Sequence, residues 1–320
     1  MSESEKKEYD LVCAGMALVD SIIRGFRPEP VSASGYVAES CSLNAGGEAV
    51  NVSVAAAKLG LKTAVLCALG EDAAGDIVRR TLTQNGVDTD FIVHAPQTPV
   101  TTMFVNPDGS RSSITTQAHR TGFHPERIHF PASKALILGS LFRAPFDDPA
   151  VIADILSVAK QAGRLTFADT KLPNFRMLRI EDLHDAFPLI DYITPNEDEA
   201  RYFTGKDQPE AMADVFLRFG VRNVIVKLGK NGCLLKNARE TLRLPGYRIQ
   251  AVDATGAGDN FAAGFIAEIL RGSAKEEALR FANACGAVCA TAVGASAALR
   301  SRRQVLDWMA EQVLPEEPGI

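Results

Sequence analysis

The chain has 320 residues and a formal net charge of −5, and 46% of its residues are hydrophobic while 23% are charged. This composition is that of an ordinary globular protein and excludes collagen-like, disordered and disulfide-scaffold classes. The acidic balance also argues against a protein that binds nucleic acid mainly through a basic surface. The length allows one large α/β domain or two smaller domains.

Short apolar runs alternate with helical patterns through most of the chain. Because strands buried on both faces read as continuous apolar runs, this alternation indicates a mostly parallel sheet covered by helices. The predicted strands are Tyr9–Ala14, 62–68, 135–138, 165–168, 192–194, 221–227, 233–235 and Thr241–Leu244. The predicted helices are 49–59, 74–85, 149–162, 197–203, 209–219 and a long helical region from about 256 to the end.

Two insertions, at 21–44 and 96–120, do not fit this alternation. Residues 98–117 read as strand, turn and strand, with Asn106-Pro107-Asp108-Gly109 as the turn. Each insertion is too short for a domain, so we expect one domain over 1–320, with the insertions forming a small sheet. Such a sheet over the strand ends would act as a lid, because ligands of α/β sheets bind there. The alternative is a pair of surface hairpins.

Two apolar segments, 11–19 and 281–299, raise the question of a membrane span. Acidic residues dominate before the first segment, whereas a signal peptide needs a positive region there, so a buried strand is the better interpretation. The second segment is rich in Ala, Gly, Thr and Ser and contains Asn283, which is typical of a close-packed buried helix. We therefore expect a cytoplasmic protein that binds neither membrane nor nucleic acid.

The strongest motif is the run DATGAGD at 253–259, which follows a strand pattern and opens an Ala-rich helix. Backbone N–H groups of Gly256, Ala257 and Gly258 at a helix start would converge on an anion such as a phosphoryl group. Asp259 would then be a base that takes a proton from a hydroxyl group. The alternative is a glycine-rich turn in which Asp259 only complements the helix dipole.

A second motif, NAGGEAVN at 44–51, also precedes a helix. Gly46 and Gly47 permit a close backbone approach, and Asn51 can donate hydrogen bonds to a polyol and accept them. The alternative is a simple helix start with a solvated Asn51.

Together these two runs resemble, in content and order, the signature regions of the ribokinase-like (PfkB) carbohydrate kinases. Three further pieces of the sequence agree with this resemblance. Gly15 and Asp20, placed at the end of the first strand, resemble the family's early glycine and its substrate-binding aspartate. The run NEDE at 196–199 resembles the N-x-x-E motif, and KLGKNG at 227–232 resembles a nucleotide-contacting turn. The resemblance covers about residues 9 to 310.

The resemblance implies a three-layer α/β/α core with a small β-sheet lid, through which the chain would form a homodimer. It also implies ATP-dependent phosphorylation of a hydroxymethyl group of a small sugar or sugar acid. Asp259 would be the catalytic base, and the N–H groups of 256–258 would form the anion hole. The residues implied to hold the sugar are Asp20, Gly46, Gly47 and Asn51.

The same resemblance implies sites for the nucleotide and for metal ions. The residues implied to lie near the nucleotide are Asn196, Lys227, Gly229, Gly232, Thr255 and Asn283. Asn196 and Glu199 would organise Mg²⁺, largely through water. Asp253 matches a monovalent-cation site of some members, but the later part of that site, at 294–298, is not clearly matched, so activation by K⁺ is left open.

Departures from the family pattern leave the substrate open. Glu48 stands where ribokinases usually carry lysine, which weakens an assignment to ribose. The runs at 138–141 and 169–171 are more similar to fructokinase- and ketodeoxygluconate-kinase-like members. Lys171 or Arg143 would contact phosphate or substrate, or would be solvated at the sheet edge. The alternative functions are a nucleoside kinase of the same fold and, ranked lower because base and anion hole are both present, a non-catalytic sugar or nucleotide sensor.

Overall fold

The computed structural model describes residues 8–26, 35–105, 111–116, 130–174, 176–295 and 297–312. The strands are β1 (Tyr9–Ala14), β2 (Leu18–Arg24), β3 (Ser40–Gly46), β4 (Thr63–Leu66), β5 (Ala68–Leu69), β6 (Val93–His94), β7 (Val100–Val105), β8 (Arg111–Thr115), β9 (Ser133–Leu141), β10 (Leu165–Thr170), β11 (Tyr192–Ile193), β12 (Asn223–Lys227), β13 (Cys233–Asn237) and β14 (Thr241–Leu244). The helices are α1 (Glu48–Lys58), α2 (Ala73–Gln84), α3 (Pro149–Gln161), α4 (Glu197–Thr204), α5 (Pro209–Arg218), α6 (Ala257–Leu270), α7 (Lys275–Ala290) and α8 (Arg302–Glu311).

Helix ends follow the chemistry of the residues that flank them. Asp72 starts α2 by accepting a hydrogen bond from the Gly75 N–H at 2.8 Å. Asp148 caps α3 in the same way, and Pro149 follows it at the first helical position. Gly205 ends α4 in a left-handed conformation that glycine adopts without steric cost. The predicted boundaries of α1 to α5 agree with the observed ones to within one or two residues.

The central sheet has eight strands in the order β14-β13-β12-β11-β10-β9-β1-β4. Neighbouring strands pair in parallel along β4, β1, β9, β10, β11 and β12. At the other edge, β13 pairs antiparallel with both β12 and β14. This arrangement confirms the prediction of an α/β fold with a mostly parallel sheet. Its functional consequence is that the carboxyl ends of the parallel strands meet at one edge of the sheet.

Successive side chains of the parallel strands enter two different cores. Val12 of β1 packs with Ile155 of α3 and Phe216 of α5 on one face. Leu11, its neighbour in sequence, packs on the other face with Phe265 of α6. Because neighbouring strand residues point to opposite faces, strands covered on both sides are apolar throughout, which is why no alternation was visible in the sequence.

A second, four-stranded sheet has the order β3-β2-β7-β8 and is built from the two insertions. It begins three residues before the predicted insertion, at Leu18, so Asp20 lies on β2 and not at the end of the first strand. Gly15 to Ala17 separate the two strands, which divides the apolar run 11–19 between two sheets. The predicted turn at 106–109 lies outside the described residues. Action as a lid and dimer formation through this sheet stay predictions.

The carboxyl-terminal region is helical only in part. The apolar segment 281–299 begins inside α7, but the helix ends at Ala290, and an irregular connection leads to α8. That connection packs against the start of α6, where a Cβ on Gly256 would lie 2.5 Å from the Cβ of Ala295. Among the described residues, no helix combines the length and apolarity that crossing a bilayer requires.

Candidate active site

The bend before α6 presents backbone N–H groups at the start of that helix. Gly256 has a φ of 76°, in the left-handed region that favours glycine. Asp253 fixes the approach to the bend, because its Oδ1 accepts hydrogen bonds from the Thr255 backbone N–H and hydroxyl at 3.0 and 2.7 Å. In the described part of the chain no side chain caps α6, which begins at Ala257. The Ala257 N–H donates to the Ala254 carbonyl at 3.2 Å, whereas the Gly258 N–H at this helix start can bind an anion, which the helix dipole also favours.

Asp259 lies in the first turn of α6, buried directly after the bend. The side-chain amide of Asn51, from α1, donates a hydrogen bond to its Oδ2 at 2.8 Å. Burial and the nearby charge of Glu48 raise the pKa of Asp259 to about 7, against the opposing effects of Lys171 and the Asn51 hydrogen bond. A carboxyl group whose pKa lies near neutrality can accept a proton in the physiological range.

The carboxylate of Asp20 lies against the backbone between β3 and α1. A Cβ on Gly46 would displace this carboxylate, whereas a Cβ on Gly47 would overlap the backbone carbonyl of Met16, so position 47, which has a φ of 94°, requires glycine. Burial and then the charge of Glu48 raise the pKa of Asp20 to about 6. A shared dependence on Glu48 places Asp20 and Asp259 in one electrostatic environment.

An ion pair between the buried Glu48 and the partly exposed Lys171 acts on both aspartates. Glu48, the first residue of α1, has its Oε1 3.1 Å from the Nζ of Lys171, which directly follows β10. The Ser140 hydroxyl, from β9, donates to the other oxygen of Glu48. Although burial alone would raise it, Lys171 and Ser140 together hold the pKa of Glu48 below its usual value. Three chain segments thus combine to keep this carboxylate ionised.

A cavity of about 570 Å³ adjoins the bend before α6. Its wall includes the backbone of 229–232, the bulky side chain of Tyr247 and the start of α6 at Ala257 and Gly258. The lining is mostly apolar with a few polar groups, which suits a planar base with a polar tail. The cavity therefore leads directly to the anion-binding end of α6.

Two further carboxylates come from the end of β10 and from the first turn of α4. Asp169 on β10 accepts from the Nζ of Lys227 at 2.8 and 3.0 Å. Glu199 accepts from the Thr170 hydroxyl at 2.8 Å and from the Asn196 N–H at 3.0 Å, while Asn196 accepts from the Glu199 N–H. Burial raises the pKa of Glu199, which Lys227 opposes. This reciprocal cap fixes Glu199 in a buried position, not on a solvated face.

The chain was compared with known protein families and structures. Residues 11–302 match the model of the pfkB family carbohydrate kinases. The chain is 30% identical over 274 residues to a ribokinase of Haemophilus influenzae, covering 82% of this chain and 87% of the relative. It is 32% identical over 255 residues to an ATP-dependent ribose-1-phosphate kinase of Halopiger xanaduensis, covering 79% and 82%. The structure of Arabidopsis thaliana ribokinase complexed with ribose and ATP aligns with a TM-score of 0.80 at 26% identity, covering 95% and 99%.

The chain belongs to the pfkB family of carbohydrate kinases. This confirms the resemblance drawn from the two glycine-rich runs, and it makes the protein a phosphotransferase with a hydroxyl group as acceptor. It also confirms the fold expected from that resemblance.

The structure of this carbohydrate kinase brings most of the predicted site residues together in two groups. The first group contains Asp259 and its hydrogen-bond partner Asn51, with Asp20, Gly46 and Gly47 nearby. The second lines the cavity and consists of Lys227, Gly229, Gly232 and Asn283. Asn196 and Thr255 are not part of the cavity wall, since their side chains bond within their own turns.

Asp253 contacts hydrogen-bond donors on both of its oxygens. Besides the two bonds from Thr255, its Oδ2 accepts from the Gly294 N–H at 3.2 Å. The guanidinium of Arg24, from β2, lies 3.6 Å from the same oxygen. Arg24 therefore links the small sheet to the bend before α6, and activation by K⁺ at Asp253 stays a prediction.

Sequence reasoning left Ser140 and Asp169 without a role and kept two alternatives for Lys171. The structure places the Lys171 ammonium against Glu48 with 37% of its side chain exposed, and contact with substrate or phosphate stays a prediction. The available signal was position: Ser140, Asp169 and Lys171 all fall at or just beyond the carboxyl ends of buried strands. Polar residues at that place in a parallel sheet lie where ligands bind.

Proposed function

We propose that the protein is an ATP-dependent kinase that phosphorylates a hydroxymethyl group of a small sugar, with Asp259 as the base. The observation that carries the proposal is the buried Asp259 carboxyl group beside the uncapped start of α6. The ribokinase complexed with ribose and ATP supports the pairing of sugar and nucleotide, because it shares the fold over nearly the whole chain.

On the acceptor side, Asp259 takes the proton of the hydroxyl group as its oxygen attacks the terminal phosphorus of ATP. The Asn51 amide holds the carboxylate in place through its 2.8 Å hydrogen bond. Asp20 binds other hydroxyl groups of the sugar, and Gly46 and Gly47 let the sugar approach the backbone closely. Positioning of this kind supplies most of the rate gain in phosphoryl transfer.

On the donor side, ATP lies with its base in the cavity and its phosphates at the bend. Backbone N–H groups of 256–258 stabilise the negative charge that develops on the transferred phosphoryl group. The bond to the leaving ADP oxygen breaks as the bond to the sugar oxygen forms. Lys227 lies beside this path, with its Nζ about 3.1 Å from where a Cβ of Gly258 would stand.

The residues beyond the bend fit a magnesium ion. Asp169 and Glu199 provide carboxylate oxygens, which Mg²⁺ prefers, but both already accept hydrogen bonds, so contact through the ion's own waters suits them best. No group of three or more His, Cys, Asp or Glu side chains in the described residues forms a ready metal cage. Bound there, Mg²⁺ would neutralise charge on the phosphates of ATP.

The proposal is tested by measuring ADP release with Mg²⁺ over a panel of sugars, sugar acids and nucleosides, with and without K⁺. With an accepted sugar, Asp259→Asn should lower kcat by about 10²–10⁴-fold while leaving the affinity for ATP unchanged. Asp307→Asn, an exposed aspartate paired with Arg303, is the matched control and should keep full activity.

Two results would contradict the proposal. Near-wild-type turnover by Asp259→Asn would remove the base from the mechanism. Phosphorylation of nucleosides in preference to every sugar would assign the protein to the nucleoside kinase alternative.

A further inference from the structure

The ion pair of Glu48 and Lys171 limits the charge that a substrate can carry. This inference rests on the proposed function. Glu48 is buried, with 9% of its surface exposed, and its charge acts on both aspartates of the acceptor side. Lys171 is the cation that directly faces this group in the described part of the chain. Its pKa is raised above the usual value, first by Glu48 and also by Asp259, so it is fully protonated.

The backbone holds the pair in one arrangement. Ser140 has a φ of 66°, a conformation that residues other than glycine seldom adopt, and its hydroxyl donates to Glu48. Gly139, next to it, leaves room for Glu48, because a Cβ there would lie 2.7 Å from the Glu48 Cβ. The Lys171 N–H bonds to the Leu141 carbonyl at 2.9 Å, which fixes the lysine to the same strand end. Backbone strain of this kind persists where the surroundings impose it.

Apart from Arg143, whose backbone N–H bonds to the Ser140 carbonyl at 2.9 Å and whose buried Nε has no hydrogen-bond partner among the described residues, the charges named on the acceptor side are mostly negative. Asp20, Glu48 and Asp259 supply three carboxyl groups, and Lys171 supplies one ammonium group. Glu48 already neutralises that ammonium at 3.1 Å. The next lysine, Lys227, is occupied by Asp169 at 2.8 Å. An incoming carboxylate or phosphate would therefore meet carboxylates and no uncommitted lysine among these groups.

We infer that the Glu48–Lys171 pair makes the acceptor site selective for uncharged polyols and against sugars that carry a carboxylate or a phosphate. An anionic substrate can contact the partly exposed Lys171 beside Glu48, but the charge of that ammonium is already neutralised by the Glu48 carboxylate. The anion would therefore gain little attraction from Lys171 and would be repelled by Glu48, because like charges at short distance are unfavourable. An uncharged polyol leaves the pair intact, and its hydroxyl groups donate to Asp20 and accept from Lys171. Glu48 is thus a positioning residue that acts through Lys171.

The test uses Glu48→Gln, which keeps the side-chain length and the acceptor for Ser140 but frees the charge of Lys171. Binding without nucleotide is measured by calorimetry for two matched pairs, D-fructose with 2-keto-D-gluconate and D-tagatose with 2-keto-D-galactonate. In each pair both compounds keep the C2 ketone that closes the ring, and they differ essentially by one carboxylate. Glu210→Gln, which removes a carboxylate from an exposed ion pair with Arg243, is the matched control.

We expect the wild-type protein to bind the neutral member of at least one pair more tightly than the acid. Glu48→Gln should change the acid-to-neutral affinity ratio about 10- to 100-fold in favour of the acid, since a hydrogen bond to a charged group becomes available. The double variant Glu48→Gln/Lys171→Gln should lose this gain, and Glu210→Gln should not show it. The acidic limb of the pH profile of kcat/KM should also move to lower pH in Glu48→Gln, because the Glu48 charge raises the pKa of Asp259.

The inference is overturned if the wild-type protein binds an acid at least as tightly as its neutral partner, if it binds none of the four compounds, or if Glu48→Gln leaves the ratio unchanged. These results differ from a failure of the proposed function. Preference for an acid with Asp259-dependent turnover would overturn the inference alone. Selective binding of a neutral sugar with no phosphoryl transfer would overturn the proposed function alone.

Discussion

Replacing Asp259 by asparagine should stabilise the protein at high pH, although it removes the proposed base. Folding raises the pKa of this carboxyl group from 3.8 to about 7, mainly through burial. The folded state therefore binds a proton that the unfolded state does not hold between about pH 4 and pH 7. This contribution to stability is fully present below pH 4 and is lost as the pH rises through 7.

The size of the effect follows from the same two values. One pKa unit corresponds to about 1.4 kcal/mol, so an ionised Asp259 lowers the free energy of unfolding by at most roughly 4 kcal/mol above pH 7. At pH 5 the lowering is at most about 2 kcal/mol. Asparagine has nearly the same shape and stays neutral, and its carbonyl can accept the hydrogen bond from Asn51. From pH 5 to pH 8, the free energy of unfolding of Asp259→Asn should therefore rise by about 2–3 kcal/mol relative to that of the wild type.

Urea unfolding followed by circular dichroism at pH 5, 6.5 and 8, at constant ionic strength and without ligands, measures this difference. Asp307→Asn, whose wild-type side chain is 56% exposed, should show no such trend. A stability difference that is the same at all three pH values would refute the reasoning. A wild-type protein that becomes the more stable of the two as the pH rises would refute it more strongly, because Asp259 would then be ionised at no cost.

Two further results are expected from the same geometry. Wild-type kcat/KM should fall below about pH 7 as Asp259 becomes protonated. Asn51→Leu should move this acidic limb to higher pH and lower kcat/KM at pH 7 about tenfold, since it removes a hydrogen bond to the ionised carboxylate. An acidic limb at the wild-type pH would disprove the role of Asn51. Gly232→Ala should raise the KM for ATP about tenfold with little change in the KM for the sugar, because Gly232 lines the cavity with a φ of 90° and a Cβ there would overlap the Leu244 carbonyl. Steady-state kinetics that show an unchanged KM for ATP would contradict this.

The periodic parts of the fold could be predicted from the sequence. The strand Asn223–Lys227 and the helix starting at Pro149 have the predicted positions, since apolar runs and capping residues are local signals. The small sheet was predicted from its two insertions, but its start was not. Leu18 and Val19 continue the apolar run of β1, and nothing local shows that the chain leaves the central sheet at Gly15.

The candidate site could be predicted where the residues that act together are neighbours in the sequence. Asp259 directly follows the glycines of the proposed anion site, so the sequence motif indicates both its position and its chemistry. The role of Glu48 was not visible, because its two partners come from β9 and from the end of β10, far away in the chain. Sequence alone gives the sign of each charge, but not which opposite charge is within 4 Å of it. That pairing decides whether Lys171 is available to a substrate.

The same carboxylate that limits the substrate's charge also sets the strength of the base. Glu48 raises the pKa of both Asp20 and Asp259, so these two groups respond together to any change at position 48. A sugar that enters the site displaces water from both aspartates, and further desolvation raises the pKa of a carboxyl group. In the proposed mechanism Asp259 would then be a stronger base when an acceptor alcohol is bound, whereas a water molecule in an open site would meet a better solvated carboxylate. The same burial that destabilises the ionised Asp259 in the folded protein would thus favour transfer to the sugar over transfer to water.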